Sequence, residues 1–236
     1  MRGISRKCGV SPNTVKKYLN LNGKQTETQN IIHEVRKKDD LLRGLYLGIW
    51  AGDGTQYLDN GYRIKIFCDR RNNELIEFYR QFMLQFFGKT IRVVKEKFDN
   101  RAFVIFGSKF IYNFVYDFLD FGRNKTYTVC LKNPVSSYSE QFLKGFLLGL
   151  MLTDGYLKQK FYFNTTSENL AYNVIEILEK FGLNPRRYVH DRKKYGWKDL
   201  HMVTLKKEDS SKVLNLLDSI IKETGCKKSF SELKGY

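Results

Sequence analysis

The sequence predicts an α+β protein built from two αββαββα halves with pseudo-twofold symmetry and one apolar helix from each half paired at the centre. Three observations lead there. Leu45-Tyr46-Leu47-Gly48-Ile49-Trp50-Ala51-Gly52-Asp53-Gly54 and Phe146-Leu147-Leu148-Gly149-Leu150-Met151-Leu152-Thr153-Asp154-Gly155 each run an apolar helix into Asp-Gly, about 100 residues apart. Gly122-Arg123-Asn124-Lys125-Thr126-Tyr127 and Gly225-Cys226-Lys227-Lys228-Ser229-Phe230 share a Gly-x-x-Lys-Ser/Thr-aromatic pattern about 70 residues after each Asp-Gly. Between these anchors the elements follow one order twice, which leaves chance a poor account of either match.

The first helix spans Leu41 to Gly52, and the strands Thr55 to Leu58 and Tyr62 to Cys68 flank an Asp59-Asn60-Gly61 turn. Apolar residues at Leu75, Ile76, Phe78, Tyr79, Phe82, Met83 and Phe86 give Asn73 to Phe87 helical spacing, stopped by Gly88. Thr90 to Glu96 and Ala102 to Phe106 are β-branched and aromatic strands, and Lys109 to Leu119 is a helix. In the second half a helix covers Ser139 to Leu152, strands cover Tyr156 to Lys158 and Lys160 to Thr165, and Ser167 caps a helix over Glu168 to Phe181. Arg186 to Asp191 and Leu200 to Lys206 form a hairpin about Lys193-Lys194-Tyr195-Gly196, followed by a helix from Ser210 to Ile221. The expected segments are 1–39, a basic helix-turn-helix-like stretch with a linker, then halves at 40–135 and 136–236.

Bulk composition narrows the function. Of the 236 residues 42% are hydrophobic, enough to build a core. Lys and Arg exceed Asp and Glu by 41 to 25, a net charge of +16 spread along the chain. That excess attracts polyanions by counterion release, with nucleic acid the first expected partner and an anionic membrane surface the second. No apolar run reaches the roughly 20 residues of a membrane span, and no start resembles a signal peptide. A cytoplasmic or organellar, non-secreted protein is expected. Cys8, Cys68, Cys130 and Cys226 lack C-x-x-C spacing and read as reduced thiols.

Within the motif helices Gly44, Gly48 and Gly52 recur every fourth residue, as do Gly145, Gly149 and Thr153. Interior glycine costs about 1 kcal/mol relative to Ala, and close backbone contact with a partner helix supplies the compensation. Asp53 and Asp154 end these helices, where the dipole disfavours negative charge. A divalent cation would relieve that penalty, and two carboxylates meeting at a helix pair suit hard oxygen ligation of Mg²⁺. The glycine after each Asp is expected in the left-handed conformation that releases the chain into a strand.

These two motifs resemble those of the LAGLIDADG homing endonucleases in their single-chain, two-motif form, over about residues 40 to 236. The resemblance implies a saddle of two antiparallel four-stranded sheets on the DNA major groove. It also implies Mg²⁺-dependent hydrolysis of both strands across the minor groove, leaving 3′ overhangs. The family's metal-binding acids fall on Asp53 and Asp154, with Gly52 and Thr153 beside them as further ligand positions and two or three divalent ions shared between the acids. Ala51 and Leu152 stand at the family's earlier Asp position. Lys125 and Lys228, at the second anchor, are the expected charge-stabilising pair, with a solvated surface role the alternative. Arg70, Arg71, Thr165 and Thr166 match positions at the ends of the second strands, near the acids.

A sheet in the major groove needs a polar face. Arg63, Lys65 and Phe67 alternate with Ile64, Ile66 and Cys68, and Lys160, Tyr162 and Asn164 alternate with Phe161, Phe163 and Thr165. Arg186, Arg187, Arg192, Lys193, Lys194 and Lys198 make the last hairpin a phosphate grip at one end of the site. In the N-terminal stretch, Ser11-Pro12 opens a helix whose Lys16 and Lys17 face phosphate, either as an added DNA contact or as packing. His190 and His201 are expected to meet DNA or solvent. The expected protein is a monomer that cuts double-stranded DNA at a long, near-asymmetric site. The competing reading is a regulator or an intron RNA maturase that binds on the same scaffold without cleaving. The chain ends without the His-Asn of a self-splicing intein, which favours a freestanding, intron-encoded enzyme.

Overall fold

A computed structural model describes residues 40–235 apart from 59–60, 89–90 and 97–98. The helix-turn-helix-like reading of residues 1–39, with Lys16 and Lys17, lies outside the described residues. Residues Asp39–Tyr236 belong to one compact unit, so the two halves share a core. In order, the first half contains α1 (Asp40–Asp53), β1 (Gly54–Leu58), β2 (Tyr62–Asp69), α2 (Asn73–Phe87), β3 (Arg92–Lys95), β4 (Arg101–Gly107) and α3 (Lys109–Phe118). A connector follows, made of β5 (Leu119–Asp120), the short α4 (Lys125–Thr128), β6 (Cys130–Leu131) and a 3₁₀ turn at Val135–Ser137. The second half contains α5 (Glu140–Thr153), β7 (Gly155–Leu157), β8 (Phe161–Thr165), α6 (Glu168–Lys180), β9 (Arg186–His190), β10 (Leu200–Thr204), α7 (Lys207–Glu223) and α8 (Phe230–Lys234).

The two main sheets repeat one topology. Their strand orders are β1-β2-β4-β3 and β7-β8-β10-β9, antiparallel throughout. Helix boundaries follow their caps. Asn72, Ser108, Ser139 and Ser167 each accept a backbone N–H of the first turn, and Gly88 ends α2 in the left-handed region at φ 64°. The hairpin between β9 and β10 turns through Gly196 at φ 71°, where a side chain would be strained.

The core lies between the sheets and two central helices. α1 buries Leu41 and the run Gly44 to Ala51, while α5 buries Phe142, Leu143 and the run Gly145 to Leu152. Helices apolar on nearly every side belong in an interior. Glycine lets their backbones touch: a methyl on Gly44 or Gly48 would run into the carbonyls of Phe142 and Phe146, and one on Gly145 into that of Leu41. A methyl on Gly149 would lie 2.5 Å from the Leu45 carbonyl and the Ile49 nitrogen. At the N-terminal ends Ser139 Oγ donates to Asp40 Oδ2 at 2.7 Å, which joins the two helices there.

Each half also sends its tail onto the other. The connector rests on α6, where Ser167 Oγ donates to the Val129 carbonyl at 2.7 Å and Leu131 N–H donates to Asn173 Oδ1 at 2.8 Å. In return α8 rests on α2, with Asn72 Nδ2 donating to the Leu233 carbonyl at 2.7 Å.

Two local expectations change. Gly54 and Gly155 are absent from the positive-φ glycines, so the left-handed release after each Asp does not occur. What demands glycine there is crowding, since a Cβ on Gly54 would lie 2.5 Å from the Trp50 carbonyl and one on Gly155 2.6 Å from Met151 Cα. The last long helix starts at Lys207, three residues before the expected Ser210, whose backbone N–H already donates to the Lys206 carbonyl at 2.9 Å while its Oγ accepts Phe161 N–H at 2.9 Å.

Gly149→Ala tests the helix contact. The added methyl meets backbone on the facing helix, so the variant is expected to lose about 1–3 kcal/mol of unfolding free energy in denaturant titration.

Candidate active site and nucleic-acid interface

The site forms where α1 and α5 end together. A Cβ on Gly52 would sit 3.1 Å from Asp154 Oδ2, which sets the second acid beside the C-terminus of the first motif helix. Asp53 is partly buried and Asp154 keeps a solvent-exposed side, while protein packs around the rest of each acid. Neither carboxylate receives a hydrogen bond or ion pair from the described residues. Dehydration by the surrounding protein is the first cause that raises each acid, and for Asp154 the charge of Asp53 adds to it. Lys125 and Lys234 pull both back down, leaving Asp154 at about 7.

The helix ends that hold these acids are capped by ammonium groups. Four carbonyl oxygens, those of Trp50, Ala51, Gly52 and Gly54, ring Lys125 Nζ at 3.0, 2.9, 2.8 and 2.7 Å and share its three hydrogens. The ammonium also lies 5.0 Å from the centre of the Trp50 ring. Burial lowers it to about 8, against the opposing pull of Asp154 and Asp53. On the second helix the corresponding group is Lys234, whose Nζ donates to the carbonyls of Leu152 and Thr153, both at 3.2 Å. A cation at a helix C-terminus meets orphan carbonyls and opposes the dipole's negative end. The penalty that sequence reasoning left to a divalent ion is thus met in part by lysine. The carbonyls of Gly52 and Thr153, the residues expected beside the acids as further ligand positions, each accept an ammonium hydrogen bond.

Lys228, expected to partner Lys125, stands elsewhere. Its Nζ lies 3.4 Å from Glu74 and 3.7 Å from Glu232 on the flank of α8. The two anchors are out of register: Lys125 opens its short helix, whereas Ser229 caps α8 and Lys234 closes it. A second signal was available, since the capping pair Ser229 and Glu232 marks a helix whose last turn carries Lys234.

The two sheets present unlike faces. Register places Thr55, Tyr57, Arg63, Lys65, Phe67, Arg101, Phe103, Ile105, Arg92 and Val94 on one face of the first sheet, with Ile64, Ile66 and Cys68 buried on the other. Lys65 Nζ lies 4.6 Å from the Phe103 ring centre and 5.2 Å from that of Tyr57, so its charge stands on an aromatic bed. The corresponding face of the second sheet carries Tyr156, Tyr162, Asn164, Tyr188, Met202, Thr204 and Arg186. Lys160 lies just before β8, exposed. Arg192, Lys193, Lys194 and Lys198 all lie in the β9–β10 tip.

Several expected contacts turn inward or bind locally. Arg70 Nη1 donates to the Glu96 carbonyl at 2.9 Å, tying the end of β2 to the β3–β4 turn, and Arg71 pairs with Asp69 at 2.7 Å. That pairing holds the Asp69 carboxyl down at about 2. Thr165 is 9% exposed and accepts Ser167 N–H, so its side chain belongs to the core. His201, 7% exposed, is buried beside Arg187 and does not reach the surface, while His190 is exposed. Cys68, Cys130 and Cys226 are free thiols. Among the described residues no helix is long and apolar enough to cross a membrane.

Comparison with known proteins agrees with this architecture. Residues 141–218 match the family model of the LAGLIDADG-like domain. A structure of mesophilic variants of the homing endonuclease I-DmoI superposes with a TM-score of 0.59 at 16% identity, covering 76% of this chain and 96% of that one. I-DmoI in complex with DNA and Ca gives 0.58 at 18% identity, over 76% and 90% of the two chains. The homing endonuclease I-WcaI bound to its DNA recognition sequence gives 0.50 at 14% identity, over 83% and 86%. No curated protein sequence is a significant match.

The acid pair makes stability depend on pH. A carboxyl whose folded pKa exceeds its unfolded value binds more protons when folded, so its stabilising contribution is present at low pH and lost as pH rises through the folded pKa. For Asp154 that loss runs from the ordinary carboxylate range up to about 7. Thermal melting in EDTA is therefore expected to show a midpoint that falls across this window, with a shallower fall for Asp154→Asn.

Proposed function

With a LAGLIDADG-like domain over residues 141–218 and a fold shared with homing endonucleases, we propose that this protein is a site-specific double-strand DNA endonuclease that depends on a divalent cation. One observation carries the reading: an acid from each half stands at the contact of two helix ends, beside two lysine ammonium groups. The fold alone does not determine chemistry, so the argument rests on this site. The donor set suits a hard cation, because Mg²⁺ commonly takes one or two carboxylates and completes its shell with water and phosphate oxygens. Asp53 and Asp154 would hold it. When bound, such an ion stabilises charge on the phosphoryl oxygens and makes water a better nucleophile.

The chain's own residues supply the remainder. Lys125 and Lys234 hold positive charge beside the acids and oppose negative charge that builds on the phosphate. The saddle faces position the duplex, with Arg63, Lys65 and Arg92 offered by the first half and mainly tyrosine, amide and hydroxyl groups by the second. Two such different faces suit a long, near-asymmetric target read by a monomer. Cuts placed on opposite strands across the minor groove would leave 3′ overhangs, and an intron-encoded role in homing fits such cleavage. A regulator or maturase on this scaffold would have no need of two acids that dehydration and mutual repulsion make costly to ionise.

The test is incubation with Mg²⁺ and intron-free DNA flanking the protein's own gene. Both strands are expected to be cut, and Asp53→Asn or Asp154→Asn is expected to slow cleavage roughly hundredfold or more while gel-shift binding persists. Wild-type rates on both strands in either variant would refute the two-acid site. The lysines are separated by a second comparison. Lys234→Met is expected to slow strand cleavage, whereas Lys228→Met leaves it within about twofold, because a surface ion pair contributes little; the reverse ranking would restore Lys228.

A further inference from the structure

The β9–β10 tip carries more than phosphate-binding charge. Trp197 is 61% and Tyr195 60% exposed, the second and third most exposed large hydrophobic side chains among the described residues. Other tyrosines are exposed singly, but two large aromatics side by side in water form a patch of the kind that marks a contact surface. These two are also held in place. Tyr195 N–H and Trp197 N–H both donate to the Arg192 carbonyl at 2.9 and 3.3 Å, Gly196 N–H donates to the Lys193 carbonyl at 2.8 Å, and Arg192 Nε donates to the Lys198 carbonyl at 3.0 Å. Asp191 Oδ1 accepts Lys193 N–H at 2.8 Å.

Cations are interleaved with the rings. Arg192 Cζ lies 5.5 Å from the Trp197 ring centre and Lys194 Nζ 4.8 Å from that of Tyr195, while the rings themselves are 5.8 Å apart at 43°. In duplex DNA the base faces are stacked on one another, and only edges and phosphates are offered. Exposed rings set among cations suit unstacked bases on a charged backbone, where sequence-tolerant stacking and electrostatics act together.

Register shows where the tip stands. β10 begins at Leu200 and His201, beside Thr165 at the end of β8, and Gly155 next to Asp154 pairs with Phe163. The tip therefore leaves the sheet at the end where Asp154 enters it, two to three strands to the side, or about 10–14 Å. The first half has no counterpart in sequence: its β3–β4 turn is Glu96-Lys97-Phe98-Asp99-Asn100, without the Tyr-x-Trp pair.

We propose that Tyr195 and Trp197, with Arg192 and Lys194, form a stacking platform for unpaired bases of single-stranded DNA, on the end of the second sheet where Asp154 enters it. This extends the DNA-binding reading and does not require cleavage. Trp197 reports on it directly, because Trp50 is 1% exposed and remains a constant background.

The experiment titrates the full chain, in EDTA, with a short oligothymidylate, a fully paired duplex of equal length and an oligouridylate, following tryptophan emission. Saturable quenching by the DNA single strand, tighter than by the duplex, is expected. Trp197→Ala should weaken single-strand binding roughly five- to hundredfold and Trp197→Phe should largely restore it. Circular dichroism and the melting midpoint should be unchanged in both, since the side chain lies in solvent. Equal quenching by duplex, tighter binding of the uridylate, or unchanged affinity in Trp197→Ala would each overturn the proposal. Cleavage assays keep the two readings apart: a chain that cuts duplex DNA but fails these tests loses only the platform, and one that passes them without cutting loses only the nuclease.

Discussion

Backbone contact between two glycine-lined helices is the constraint on which the rest of this structure depends. Wherever Gly44, Gly48, Gly145 or Gly149 faces the partner helix, a methyl group would meet main-chain atoms. Such an approach fixes the crossing of α1 and α5 with little freedom, because a backbone cannot change rotamer to yield. Both helices then end at the same level. Two acids separated by about 100 residues of sequence become one site through helix length and contact alone.

That convergence creates an electrostatic problem, and the fold answers it with its tails. Carbonyl ends of two parallel dipoles and two carboxylates all place negative charge at one point. Lys125 arrives from the connector and Lys234 from α8, each reaching the helix end of its own half. Their supports come from the opposite halves: the connector rests on α6 and α8 on α2. The lysines are therefore in place only when both halves are folded against each other. Assembly of the core and completion of the charge balance are one event.

Much of this was legible in the sequence because the signals were periodic or repeated. Helix α2 was readable to its last residue from apolar spacing and Gly88, and the alternation in β2 and β8 separated core from surface as the register does. What escaped was short or dependent on tertiary contact. Four-residue α4 and two-residue β5 and β6 are too brief for any period to show. Matching Lys125 to Lys228 assumed that both anchors kept one register, yet the two lysines that cap helices sit at opposite ends of their own short helices. Likewise Gly54 and Gly155 were rightly marked as special, but for the wrong reason. A missing Cβ can answer to backbone conformation or to crowding, and only the neighbours tell these apart.

Duplication makes a symmetric centre, while the surfaces are free to diverge around it. Helix contact, paired acids and capping lysines tolerate little change, since each half's share is geometrically tied to the other's. The sheet faces carry no such mutual constraint. Accordingly the first presents cations on aromatic beds at Lys65, Tyr57 and Phe103, whereas the second presents tyrosines and an asparagine. The Tyr-x-Trp pair, Tyr195 and Trp197, occurs in the β9–β10 tip of the second half and has no sequence counterpart in the first. An endonuclease of the proposed kind, cutting an asymmetric sequence with twofold geometry, needs this division: symmetry where the two halves meet, and difference where each would meet the nucleic acid.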